Sequence, residues 1–87
     1  MKITLHNADG ILTFTIDPIP ERELVMKFEQ LWASGRDGTL VRPEVEFLMP
    51  GLFRFAKPVE EEARYSQMFR QAWVLAAQQL EEARRGK

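Results

Sequence analysis

Val45-Glu46-Phe47-Leu48-Met49-Pro50-Gly51-Leu52-Phe53-Arg54-Phe55-Ala56 decides how this chain folds, because it sets two β-prone runs on either side of a Pro-Gly pair and carries three of the six phenylalanines. Alternation of apolar and polar residues around a turn signal is the mark of a hairpin with one buried face. With Pro50 to Leu52 as the loop, Met49 opposes Phe53, Phe47 opposes Phe55 and Val45 approaches Lys57. Val45, Phe47, Met49, Phe53 and Phe55 then share one face, and Glu44, Glu46 and Arg54 the other. A three-residue bulged loop favours glycine at its third position, where Leu52 stands. A wider loop would present Leu48 or Leu52 to solvent.

Before this hairpin lies a helical pattern, and another follows it. Leu24, Val25, Phe28, Leu31 and Trp32 recur at helical spacing, in a helix predicted from about Pro20 or Glu21 to Ala33 and ended by Ser34-Gly35 and Asp37-Gly38. Its early Glu21 and Glu23 suit the positive end of the helix dipole. Met26 and Ala33 fall off the apolar stripe and are weak candidates for a second contact. The later helix is predicted after Lys57, with Pro58 in its first turn, and runs nearly to Arg85. Tyr65, Met68, Phe69, Ala72, Trp73, Ala76, Leu80 and Ala83 make its broad apolar stripe. Glu60, Glu61 and Glu62 favour its start, and Arg84, Arg85 and Lys87 its end. Glu60 with Arg64 and Glu81 with Arg85 have the spacing of ion pairs on one helix face.

The opening of the chain reads as a further hairpin, Lys2 to His6 and Ile11 to Ile16. Asn7-Ala8-Asp9-Gly10 has Asn first and Gly fourth, as a type I turn favours, and Leu5 then faces Leu12 while Ile3 faces Phe14. Asp17-Pro18-Ile19-Pro20 interrupts the strand because proline lacks the ladder donor. Thr39 to Arg42 reads either as part of the third strand or as an edge before Pro43. The whole is expected to be one α+β domain over residues 1-87, in the order β-β-α-β-β-α, with two helices on one face of an antiparallel sheet.

The 87 residues suffice for one core and are too few for two. With 45% hydrophobic and 29% charged residues the balance favours folding. Twelve Lys and Arg against thirteen Asp and Glu leave a net charge of -1, which removes the simplest case for nonspecific polyanion binding. The absence of cysteine excludes disulfides, thiol nucleophiles and thiolate metal sites. Met1-Lys2-Ile3-Thr4 reads as the start of a strand and not as a secretory signal, and no apolar run reaches membrane length. The expectation is a soluble, cytoplasmic protein.

Chemistry-bearing residues are sparse. His6, the one histidine, has no partner indicated beyond Asp9 and reads as solvated or structural. Glu44 and Glu46 share a strand face suited to solvation, and Ser34 and Ser66 lack a nucleophile setting. No cofactor, metal site or catalytic group is expected, and a small enzyme is the third choice among functions. The first is a noncatalytic protein-binding or regulatory module, with Leu48, Leu52 and Phe53 as apolar anchors and Arg54 with Glu46 on the rim. The second is a nucleic-acid-binding regulator in which Arg36, Arg42 and Arg54 contact phosphates. Val74 and Ala77 widen the apolar arc of the second helix and are the candidate contacts of a homodimer.

Overall fold

The computed structural model of the protein describes residues 1–37 and 40–86, and of residues 36, 37, 40 and 41 the backbone alone. Strands β1 (Lys2–Ala8) and β2 (Ile11–Asp17) precede helix α1 (Arg22–Ser34), short strands β3 (Arg36–Asp37) and β4 (Leu40–Val41), strands β5 (Val45–Met49) and β6 (Leu52–Phe55), and helix α2 (Glu62–Arg85). The main sheet is antiparallel in the order β1-β2-β6-β5, and both helices lie on one of its faces, as expected for this α+β domain. Leu40–Val41 pairs with Arg36–Asp37 in a separate two-stranded ribbon and not with the main sheet, while Gly38 and Thr39 lie outside the described residues.

The first hairpin is tighter than the type I turn predicted. Ala8 pairs with Ile11, and the loop is Asp9-Gly10 alone, with φ of 54° and 85°. Two consecutive positive φ values make a type I′ turn, whose twist matches that of the flanking strands and which Asp-Gly favours. Leu5 therefore faces Phe14 and Ile3 faces Ile16, two residues away from the predicted partners. Because strand side chains alternate with period two, the shift leaves every residue on its predicted face.

The second hairpin corrects the prediction more deeply. Its loop is Pro50-Gly51, with Gly51 at φ 81°, the residue pattern of a type II turn. Such a turn splays a two-residue hairpin, and an extra residue in one strand absorbs the mismatch. That residue is Leu48. Val45 pairs with Phe55 and Phe47 with Phe53, but beyond the bulge Met49 pairs with Leu52. Met49 thus leaves the core face on which alternation had placed it and joins Leu52 on the opposite side.

Beneath the helices, Leu12, Phe14 and Ile16 of β2 and Phe53 and Phe55 of β6 meet Val25, Phe28 and Trp32 of α1 and Met68, Phe69, Ala72, Trp73 and Ala76 of α2. Phe28 stands edge-on to Phe53, and Phe69 stacks on Phe14, so α1 covers the β6 side and α2 the β2 side. Helix α2 starts at Glu62, four residues later than Pro58, because the preceding segment is tied to the first hairpin: the Val59 N–H donates to Gly10 O at 2.9 Å. Arg84 near its far end pairs with Glu21 and Glu23 at the start of α1, and those carboxylates, Glu23 first, raise its pKa. Of the expected pairs along α2, Glu81 binds Arg85, whereas Arg64 pairs with Glu61 and not with Glu60.

Candidate functional site

Among the described residues the sheet face away from the helices is bare, with no other element packed on it. Its rows follow from the register: His6, Thr13, Arg54 and Glu46 lie side by side, and Thr4, Thr15, Leu52 and Met49 form the next row. The first row is polar, with Arg54 Nη2 3.4 Å from Glu46 Oε2. The second turns apolar toward the β5 edge, where Met49 is 56% exposed and the bulge residue Leu48 is also exposed. Leu52, between Thr15 and Met49, is half-buried. A hydrophobic corner bounded by an ion pair is thereby set at the end of an open sheet.

Of the residues expected to contact a protein partner, Leu52 and Arg54 stand on this face, Leu48 is exposed at the bulge on its edge, and Phe53 is turned away from it. Phe53 is 1% exposed, packed edge-on against Phe28, Phe47 and Phe69, because it pairs with Phe14 on the helix-covered face. Met49 takes its place. Sequence reasoning missed it because the bulge that moves it across the sheet is produced by the turn and not by the alternation.

Of the three arginines expected to contact nucleic acid, Arg42 and Arg54 lie on opposite sides of the main sheet. Arg54 alternates with Phe53 and Phe55 and so points off the bare face. Arg42 lies on the helix side, its guanidinium carbon 5.0 Å from the Trp32 ring centroid and its Nη1 donating to Leu31 O at 3.4 Å. There it neutralises the carbonyl end of α1 and covers an indole face. The side chain of Arg36 lies outside the described residues.

Phe47 was expected in the core and faces it, but it stands on the outermost strand and remains 47% exposed. It separates two grooves between β5 and α1. One is lined by Trp32, Arg42, Pro43 and Val45, the other by Ile19, Pro20, Met26 and Pro50, and Glu29 borders both. On the far side of α2, Val74 and Leu75 are exposed and Ala77 is half-buried. Among the described residues no three His, Asp or Glu side chains are grouped to hold a metal ion, and no helix is long and apolar enough to cross a membrane. Comparison with known protein families, with curated proteins and with solved structures finds no match to this chain.

Proposed function

We propose that the protein is a cytoplasmic, noncatalytic protein-binding or regulatory module whose second hairpin contacts a larger protein. The observation that carries this reading is the corner formed by Met49 and Leu52 on a sheet face that neither helix covers, with Leu48 exposed at the bulge beside them. Apolar side chains at the end of a rigid sheet bind by excluding water, while a neighbouring ion pair such as Arg54–Glu46 restricts register. The mechanism is steric: α1 and α2 hold the sheet, and the sheet holds the corner. The bulge serves the same end, since without it Met49 would point toward the helices.

The test is site-specific photo-crosslinking from position 49 in the source cells, with position 63 on the exposed side of α2 as control. A discrete adduct from position 49 that is absent from position 63 is expected. Leu52→Asp and Met49→Asp should then abolish partner capture while leaving the urea midpoint of the Met49 variant unchanged. Equal capture by the folded Met49→Asp protein would refute the reading.

A further inference from the structure

The exposed flank of α1 has a charge order that is complementary to itself. Arg22, Met26, Glu29 and Ala33 follow one another at intervals of four, three and four residues and so form one stripe along the helix. All four are exposed, and among the described residues neither Arg22 nor Glu29 has an ion-pair partner. Around Met26, which is 50% exposed, lie Ile19 at 68% and Phe47 at 47%, lining with Pro20 and Pro50 a groove of about 510 Å³. Exposed apolar side chains grouped at one groove and rimmed by charge have the composition of an interaction site.

From this order we infer that the α1–β5 flank is a homodimer seam in which two copies pack their α1 helices antiparallel about a two-fold axis at Met26. Arg22 lies about 6 Å from Met26 along the helix and Glu29 about 4.5 Å on the other side, at 1.5 Å per residue. A two-fold axis at Met26 therefore brings Arg22 of each copy opposite Glu29 of the other, with a mismatch of about 1.5 Å that these long side chains absorb. Both pairs form at once, because an isologous interface uses every contact twice. At the centre, Met26 of one copy meets the groove between Met26 and Phe47 of its partner.

The small exposed Ala33 lets the helices approach at both ends of the seam. The occupant is a second copy because the charges of this flank are complementary to the flank itself when it is turned about that axis. The outer face of α2 is a poorer seam: Arg70, Val74, Ala77 and Glu81 repeat the same spacing there, but Glu81 is already paired with Arg85 and Arg70 Nε donates to Ser66 Oγ within the helix. The bare sheet face is left free by this arrangement, so the dimer and the partner-binding reading stand or fall separately.

Sedimentation across protein concentrations tests the seam. The native chain should be a dimer in concentration-dependent equilibrium. Arg22→Glu and Glu29→Arg should each weaken dimerisation about tenfold or more, since each sets two like-charged pairs face to face. The double variant should recover it, and an equimolar mixture of the two single variants should form heterodimers, in which both pairs again carry opposite charges. Met26→Lys should be monomeric by an independent route. A native chain that stays monomeric up to about 1 mM overturns the proposal. So does a dimer indifferent to Arg22→Glu and Met26→Lys but lost on Val74→Glu, which moves the seam to α2. Loss in both single variants with no recovery in the double variant or the mixture also overturns it.

Discussion

Phe14 on β2 and Phe69 on α2 stack face to face, with ring centroids 3.9 Å apart and planes 4° from parallel, and this contact seats the second helix on the centre of the sheet. Phe69 also meets Phe28, Trp32, Phe53 and Trp73, so one ring joins both helices to both central strands. Phe69→Ala leaves a cavity among buried aromatic side chains and is expected to cost about 3–5 kcal/mol. For a domain with about 5–15 kcal/mol of total stability, that is a large part of the whole. Urea unfolding of the two proteins measures it, and a loss below 1 kcal/mol would show that the aromatic cluster is not the fold's anchor.

Gly51 is required by the turn and by its neighbour. Its φ of 81° is strained for any residue with a Cβ, and a Cβ there would lie 2.9 Å from Ile16 O, a backbone atom that also belongs to β2. The Ile16 N–H donates to Gly51 O at 2.8 Å, so the loop cannot move away without breaking this bond. Gly51→Ala is expected to destabilise by about 1–3 kcal/mol. Gly86→Ala is the control: φ there is negative and the nearest atom is 3.5 Å away, so stability should change by less than about 0.5 kcal/mol.

The aromatic and aliphatic residues that build the core were legible because each side of a packed sheet leaves its own period. Leu12, Phe14 and Ile16 alternate, and Phe28 with Trp32 and Phe69 with Trp73 recur at helical spacing; all of them are buried. Register was not legible. A slip of two residues leaves Leu5 and Phe14 on their faces while changing who faces whom, so the hydrophobic pattern cannot detect it. Met49 shows the limit most clearly: one extra residue at Leu48 reverses its side, and nothing in the alternation of Val45 to Phe55 marks where a bulge falls. Leu40–Val41 falls within the stretch read as a strand or an edge before Pro43, but its pairing with Arg36–Asp37 was not legible because two-residue strands carry no periodicity.

Asp9 tests the turn that sets the first register. It holds φ of 54°, a conformation that Asn and Asp tolerate and β-branched residues resist. Asp9→Asn should therefore be neutral within about 0.5 kcal/mol. Asp9→Val should lose about 1–2 kcal/mol, the cost of the left-handed conformation for a residue with a branched Cβ. Asn7 closes the same turn, accepting from the Gly10 N–H at 2.8 Å and donating to Glu62 Oε1 at 2.8 Å. Thermal unfolding of the Val and Asn variants side by side distinguishes a type I′ turn from the type I alternative, in which Asp9 would have negative φ and Val would be harmless.

Arg42 separates structural from binding roles among the arginines. Its guanidinium meets the carbonyl end of α1 through Leu31 O and lies over Trp32, whose indole N–H is itself held by Pro43 O at 2.7 Å. A cation at a helix C-terminus contributes about 0.3–1 kcal/mol and a cation over an indole about 0.5–1 kcal/mol, so Arg42→Ala should cost about 1–2 kcal/mol. Arg42→Lys keeps the charge but loses the planar stack, and should fall between the two. Arg54→Ala removes only an exposed ion pair with Glu46 and should shift stability by less than about 1 kcal/mol. Urea midpoints for the three variants check this order. If instead Arg42→Ala leaves the midpoint unchanged and abolishes binding to short single-stranded DNA or RNA at low salt, the guanidinium serves a phosphate and not the helix.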